Sequence, residues 1–253
     1  AKYDKETGRR FINTIKANAG MDLAEKRRPL DGRWVRPHDR GGATDLRINT
    51  IPTLWGEDCT MRLLERDSQL RSIDAVGLFP SQRNALLSML AARAGLILVT
   101  GPTGSGKTTT LYGCLRHLID ETRKINTIED PIEYAVDGMR QSQINPQIGL
   151  DFADLLVSVL RQAPDVIMIG EVRDAKTAQA ATRAANSGHL VFATLHAPIA
   201  AGGIQSMLAL GVHRHFLASC LLGVVAQRLV RVLCNDCRVA VDMSDSPETF
   251  EGV

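Results

Sequence analysis

Apolar positions divide the chain into two parts with different periodicities. Phe11, Ile12, Ile15 and Ala19 recur at helical spacing and stop at Gly20, predicting an amphipathic helix over 11–19. The stretch Pro29–Gly42 is rich in turn formers and predicts irregular chain. Leu46, Ile48 and Thr50 then alternate with polar neighbours in a strand that Pro52 is expected to end. A further strand-like run covers Thr60–Leu64, ahead of Glu65-Arg66-Asp67. This pattern predicts a small α+β domain over residues 1–70.

From residue 71 to 253 the pattern changes to alternating apolar runs and helical stretches. Ser81 is the expected cap of a helix carrying Leu86, Met89 and Leu90 and ending at Gly95. Leu96–Thr100, Ile125–Glu129, Val166–Gly170 and Leu190–Leu195 read as strands, the most apolar of them continuous enough to be covered on both faces. Between them lie a helix from Thr108, a helix from Asp151 stopped by Pro164, and an alanine-rich helix capped by Asp174. After Leu195 the chain reads as helices to about Leu233. Such alternation predicts an α/β domain with a parallel sheet and helices on both faces.

Chemistry concentrates where these strands end. Gly101-Pro102-Thr103-Gly104-Ser105-Gly106-Lys107-Thr108 fits the phosphate-binding loop at every fixed position, between a buried strand and a helix. Glycines there let backbone N–H groups converge on phosphate oxygens, and the helix adds its positive end. Lys107 is placed to reach the β and γ phosphates of ATP, and the Thr108 hydroxyl to hold Mg²⁺. Glu171 follows the Val166–Gly170 strand, with Gly170 where many such enzymes carry an Asp. Glu129, Asp130 and Glu133 follow the Ile125–Ile128 strand, so two acidic groups stand at strand ends to share Mg²⁺ binding and water activation. His189 and His196 flank the Leu190–Leu195 strand, and spacing alone leaves structural and functional roles open for both. Cys234 and Cys237 have metal-ligand spacing, but one pair supplies two of the four ligands a structural zinc needs.

Composition changes this picture in three places. The longest apolar run, 217–226, is too short for the roughly 18 residues of a membrane span, and the charged start is unlike a signal peptide. The reading is therefore a cytosolic chain, and, beginning at Ala1, a piece of a longer one. A net charge of +2 implies no nucleic-acid partner, and aromatics at 4% offer few stacking platforms for single strands. Basic residues gather near the start (Arg9, Arg10, Lys26, Arg27, Arg28, Arg33, Arg36 and Arg40), where a solvated face explains them as well as a partner does.

The motifs together resemble the type II secretion and type IV pilus assembly ATPases. The resemblance rests on Leu98–Tyr112, on an aspartate box at Thr127–Tyr134, on Pro164–Asp174 with Gly before Glu171, and on a histidine box at Gly188–His196. Ala226–Arg231 with Cys234 and Cys237 resembles the assembly and secretion branch rather than the retraction branch. Asp31–Arg33, Asp45–Arg47 and Leu54–Glu57 resemble the family's second N-terminal domain, which implies a PAS-like α+β unit before a RecA-like ATPase domain that is incomplete at its C-terminal end. The resemblance further implies a homo-oligomer, a hexamer, with ATP between subunits and inner-membrane secretion or pilus platform proteins as partners. It implies that Arg33 and Arg47 contact the γ-phosphate, that Glu171 and the aspartate-box acids share Mg²⁺ and water, and that His196 senses nucleotide state. The chain departs from the family at Val157 and Ala163, where Arg and Asp are usual, and at Ala197-Pro198-Ile199 after the histidine box. Those departures leave a weakly or non-hydrolysing, nucleotide-sensing subunit as the alternative function.

Overall fold

The computed structural model describes residues 4–37, 43–64, 72–234 and 236–239. Helix α1 (Lys5–Asn18) begins six residues before its apolar stripe because Asp4 caps it, accepting from the N–H groups of Glu6 and Thr7, each at 2.9 Å. Strands β1 (Leu30–Pro37), β2 (Ala43–Thr53) and β3 (Gly56–Leu64) form an antiparallel sheet in that order. Its core is Ala19, Met21, Leu46 and Ile48, with Ile15, Leu30 and Trp34 packed around them. The fully buried Lys16 ammonium is paired to Glu57 at 2.7 Å and to the Glu25 carbonyl at 2.6 Å.

Two expectations in this part are corrected. Most of the Pro29–Gly42 stretch is strand β1, not irregular chain; positions 38–42 lie outside the described residues. Leu30, Gly32 and Trp34 alternate inward with period two, a signal masked by the glycine and the charges between them. Pro52 does not end β2. Pairing with β1 stops at Thr50 while pairing with β3 runs on to Thr53, so a missing donor is tolerated on the open side. The boundary expected near residue 70 falls outside the described residues.

The remainder is an α/β layer structure. Helix α2 (Pro80–Leu90) leads to β4 (Gly95–Thr100), α3 (Lys107–Leu118), β5 (Ile125–Glu129) and β6 (Met139–Gln143). Helix α4 (Phe152–Leu160), β7 (Val166–Ile169), α5 (Ala175–Asn186) and β8 (Leu190–Leu195) follow, then α6 (Ala200–Ala209), α7 (Arg214–Cys220) and β9 (Leu221–Ala226). The six strands are all parallel, in the order β6-β5-β7-β8-β4-β9. Alternate residues of the strands face opposite layers. Leu96, Leu98, Ile167, Ile169, Val191 and Ala193 pack under α4 and α5, whereas Ile97, Val99, Val166, Met168 and Phe192 pack under α2 and α3. No helix among the described residues is long and apolar enough to cross a membrane.

Three details differ from the sequence reading. The cap of α2 is Phe79, not Ser81: Pro80 at the first helical position, with its fixed φ, starts the helix two residues early, and the Gln82 side chain accepts from the Phe79 N–H at 3.1 Å. The apolar run expected as helix to Leu233 turns into strand β9 at Leu221, because a short apolar run fits a strand as well as a helix. There it completes the hydrogen bonding of β4, and Gly223 lets Met89 approach so closely that a Cβ would meet its sulfur at 2.4 Å. The polar strand β6 gave no apolar signal because it is the sheet edge.

Candidate nucleotide site

Every strand of the parallel sheet points its C-terminal end to one edge, where the expected acids, Lys107, Thr108 and His196 meet. Gly101 follows β4 with φ 150° and packs so tightly that a Cβ would meet the Gln227 carbonyl at 2.4 Å. Glycine is therefore obligatory, and the loop can turn straight into α3. No side chain caps that helix, so its first N–H groups are left for an anion. Lys107 Nζ curls over the loop, donating to the carbonyls of Gly101 (2.9 Å) and Pro102 (3.0 Å). Burial lowers the Lys107 pKa, opposed by the nearby Glu171 carboxylate.

The cleft in front of the loop has a volume of about 350 Å³. Thr103, Lys107 and Thr108 form one wall, and Glu129, Asp130, Glu133, Glu171 and His196 another. The strand pairing explains the meeting of the acids: β5 and β7 run side by side, so their ends present Glu129 and Glu171 together. Gly170 sits against the Ile128 carbonyl, where a Cβ would come within 3.1 Å. That contact accounts for Gly, rather than Asp, at the strand end.

Glu171 is held by a guanidinium and an imidazole. Arg173 donates to it through Nε at 2.6 Å and reaches Asp130 at 3.3 Å, while His196 Nε2 lies 2.9 Å from its other oxygen. The bond to Glu171, ahead of Asp130, raises the Arg173 pKa. Glu129 is held instead by neutral donors: the Tyr112 hydroxyl, Thr127 Oγ1 at 2.5 Å and Gln141 Nε2 at 3.0 Å. Burial, reinforced by Glu129, pushes the Tyr112 pKa far above its ordinary value, so the phenol stays a donor. Glu133 turns its carboxyl into the cleft; burial raises its pKa and the Arg62 guanidinium opposes that rise.

The N-terminal sheet supplies the third wall. Arg33 pairs across the strands with Arg47, and Arg47 with Arg62, so three arginines form a row on one sheet face. Like charges set opposite one another destabilise a sheet unless anions compensate them. Buried Asp45 binds Arg33 through both carboxylate oxygens, which raises the Arg33 pKa, and Glu133 faces Arg62. Arg47 makes no ion pair among the described residues and borders the cleft. Arg33 opens instead into an adjoining groove with Asp130 and Pro131.

The remaining expected residues lie elsewhere. Gly104 is at the exposed loop tip, while Ser105, Gly106 and Thr109 line a second cavity of about 500 Å³ behind the loop, with Phe79, Gln227 and Leu229. His189 is at the opposite end of β8 from the cleft, where its Nδ1 lies 3.0 Å from the Ala184 carbonyl, the last turn of α5. Within one chain it is not brought to the site. Cys234 and Cys237 are exposed free thiols, and backbone N–H groups of Asp236 and Cys237 lower the Cys234 pKa. Sequence reasoning passed over Arg62, Arg173, Tyr112 and Gln141. Only Arg173 carried a signal, as a cation two residues beyond Glu171.

The cleft thus combines cations for phosphate with carboxylate and hydroxyl oxygens. The oxygen-only donor set of Thr108, Glu171 and Asp130 fits the hard ion Mg²⁺, and among the described residues no three His, Cys, Asp or Glu are grouped so as to hold a metal by themselves. Mg²⁺ takes few protein ligands and completes its shell with water and phosphate, so that arrangement suits it.

Comparison with known proteins agrees with this geometry. The family model described as "Type II/IV secretion system protein" matches residues 1–251. The chain is 44% identical over 243 residues to the type II secretion system protein E of Dickeya dadantii, covering 96% of the chain and 49% of that protein. It is 44% identical over 239 residues to the type IV pilus assembly ATPase PilB of Thermus thermophilus, covering 94% of the chain and 26% of that protein. It therefore spans about half, or less, of the length of these relatives. Among solved structures, the pilus retraction motor PilT with bound ADP superposes with a TM-score of 0.66 at 32% identity, over 81% of this chain and 60% of that one. With its parallel sheet, phosphate loop and Gly-Glu strand end in the same order, the chain belongs to the type II/IV secretion system protein family.

Proposed function

We propose that the chain binds Mg-ATP in the cleft and hydrolyses it as the engine of a hexameric motor for secretion or pilus assembly. The observation that carries this reading is the convergence of Lys107, Thr108, Glu129, Glu171 and Arg47 on one cleft of about 350 Å³. In this reading the base of ATP occupies the cavity behind the loop, beside Phe79 and Leu229. The α3 N-terminus and Lys107 take the β and γ phosphates. Mg²⁺ would sit near Thr108 and the acids, where it neutralises phosphate charge. Glu171 and the acids after β5 divide its binding from orientation of the attacking water. Water oxygen bonds to the γ-phosphorus as the bridging P–O bond breaks, and ADP leaves with the electron pair. Arg33 and Arg47 are fork-shaped donors that hold the γ-phosphate and let go after its release, which couples the N-terminal sheet to nucleotide state. Cytoplasmic attachment to inner-membrane platform proteins, and ATP shared between subunits, belong to the same proposal.

The test is ATP hydrolysis across a range of protein concentrations, beside Lys107→Ala and Glu171→Gln. Turnover per subunit is expected to rise with concentration and to fall by about 100-fold or more in each variant. Pro198, two residues after His196, and solvent-exposed Val157 on α4, favour the sensing subunit as the second reading. Tight Mg-ATP binding that needs Lys107, without turnover at any concentration, would select it.

A further inference from the structure

Glu129 is 3% exposed and forms no ion pair among the described residues, an unusual state for a carboxylate beside a nucleotide cleft. Its donors come from three separate elements. Tyr112 on α3 donates to Oε2, while Thr127 on β5 and Gln141 on β6 both donate to Oε1. Two of the donors are themselves fixed. Gln141 accepts from the Val136 N–H at 2.7 Å and donates to the Tyr134 carbonyl at 2.9 Å. The Tyr112 ring stands edge-on to Tyr134, with centroids 5.5 Å apart and planes at 73°. A carboxylate offers about four lone-pair positions. Three donors leave one position, on Oε2, and Glu129 borders the cleft that also holds Lys107 and Thr108.

We propose that Tyr112, Thr127 and Gln141 are positioning residues that aim the free Oε2 lone pair of Glu129 at the water attacking ATP. This role rests on the hydrolytic reading above and narrows it. With three of its lone-pair positions taken by donors, Glu129 orients the water through the fourth, and the proton leaves with the phosphate product. The neutrality of the donors is the point of the arrangement. A phosphate arriving in the cleft can draw away a guanidinium, but it has no comparable pull on a phenol, an alcohol or an amide. The aim of Glu129 is therefore the same before and after nucleotide binds.

The test compares Tyr112→Phe, Thr127→Val and Thr127→Ser with the unmodified chain and with Lys107→Ala. Tyr112→Phe and Thr127→Val are expected to lower kcat by about 10- to 100-fold, the cost of misplacing a reacting group by about an ångström. KM and directly titrated Mg-ATP affinity stay within about twofold, because no positioning residue touches nucleotide. Thr127→Ser restores the hydroxyl and keeps kcat near the unmodified value. A purely structural role would lower binding stoichiometry and kcat together and would not follow the hydroxyl. Unchanged kcat in Tyr112→Phe and Thr127→Val, or loss in Thr127→Ser equal to that in Thr127→Val, overturns the proposal while leaving hydrolysis intact. An unmodified chain that binds Mg-ATP through Lys107 but never turns it over overturns the hydrolytic reading, and this role with it.

Discussion

The ends of β5 and β7 are neighbours, paired from Ile125 with Val166 through Ile128 with Ile169, yet they hold their acids by opposite means. Glu129 is enclosed and gripped by two hydroxyls and an amide. Glu171 keeps 18% of its side chain exposed and is gripped by a guanidinium and an imidazole. A neutral cage is indifferent to a polyanion, whereas Arg173 can fork onto phosphate as readily as onto a carboxylate. One strand end therefore carries fixed geometry, and the next carries geometry that a charged ligand can rearrange. The row of arginines on the N-terminal sheet extends the exchangeable side, since Arg33 and Arg62 face carboxylates that phosphate would replace.

Stability should separate the two ends most sharply. Glu129→Leu strands the hydroxyls of Tyr112 and Thr127 in a buried site without their acceptor, an expected loss of about 2–4 kcal/mol in denaturant unfolding. Glu171→Leu breaks a partly exposed ionic clamp and is expected to cost under about 1 kcal/mol. Equal losses would mean that the cage and the clamp are energetically alike, and the contrast would fail.

A smaller effect concerns the far ends of the same strands. Glu121, in the turn before β5, and Ala163, in the turn before β7, both adopt left-handed backbone, with φ of 63° and 48°. Side chains with a Cβ are strained there and glycine is not. Ala163→Gly and Glu121→Gly are each expected to gain about 0.5–1 kcal/mol in thermal or denaturant unfolding, with kcat unchanged. A change in kcat would show that strand entry is coupled to the acid at the strand exit.

The legible parts of this site were those that local sequence must supply. A phosphate loop needs its glycines, lysine and threonine in one run, so Lys107 and Thr108 were readable, as was Glu171 directly after an apolar strand. Arg62 was not readable, because only the antiparallel register of β2 and β3 sets it opposite Arg47. Tyr112 looks like any core aromatic on a helix until β5 and β6 bring Glu129 and Gln141 to its hydroxyl. In the fold, β9 was hidden by an apolar run that suits two structures, and β1 by Gly32 within its inward alternation. The two histidines of the histidine box show what direction adds. Both flank β8, but a parallel sheet sends only the one at the C-terminal end, His196, to the cleft.

The smallest expected effect tests Glu133, which stands between the two regimes: its carboxyl is partly desolvated, but it faces a cation like Glu171. Burial raises its folded pKa above the ordinary 4.5, and Arg62 only partly opposes this. A carboxylate with a raised folded pKa opposes folding once ionised. The penalty is absent below the unfolded pKa, grows as pH rises through the two values, and is fully present above the folded pKa. Glu133→Gln should therefore melt slightly higher than the unmodified chain at neutral pH, and the two should converge as pH falls below 4.5. The residue is solvent-accessible overall, which screens the effect and keeps it small. Adding Arg62→Ala removes the opposing cation, so the neutral-pH advantage of Glu133→Gln should widen in that background. If it narrows instead, Arg62 acts on something other than Glu133, and Glu133 belongs with the caged acid rather than between the two.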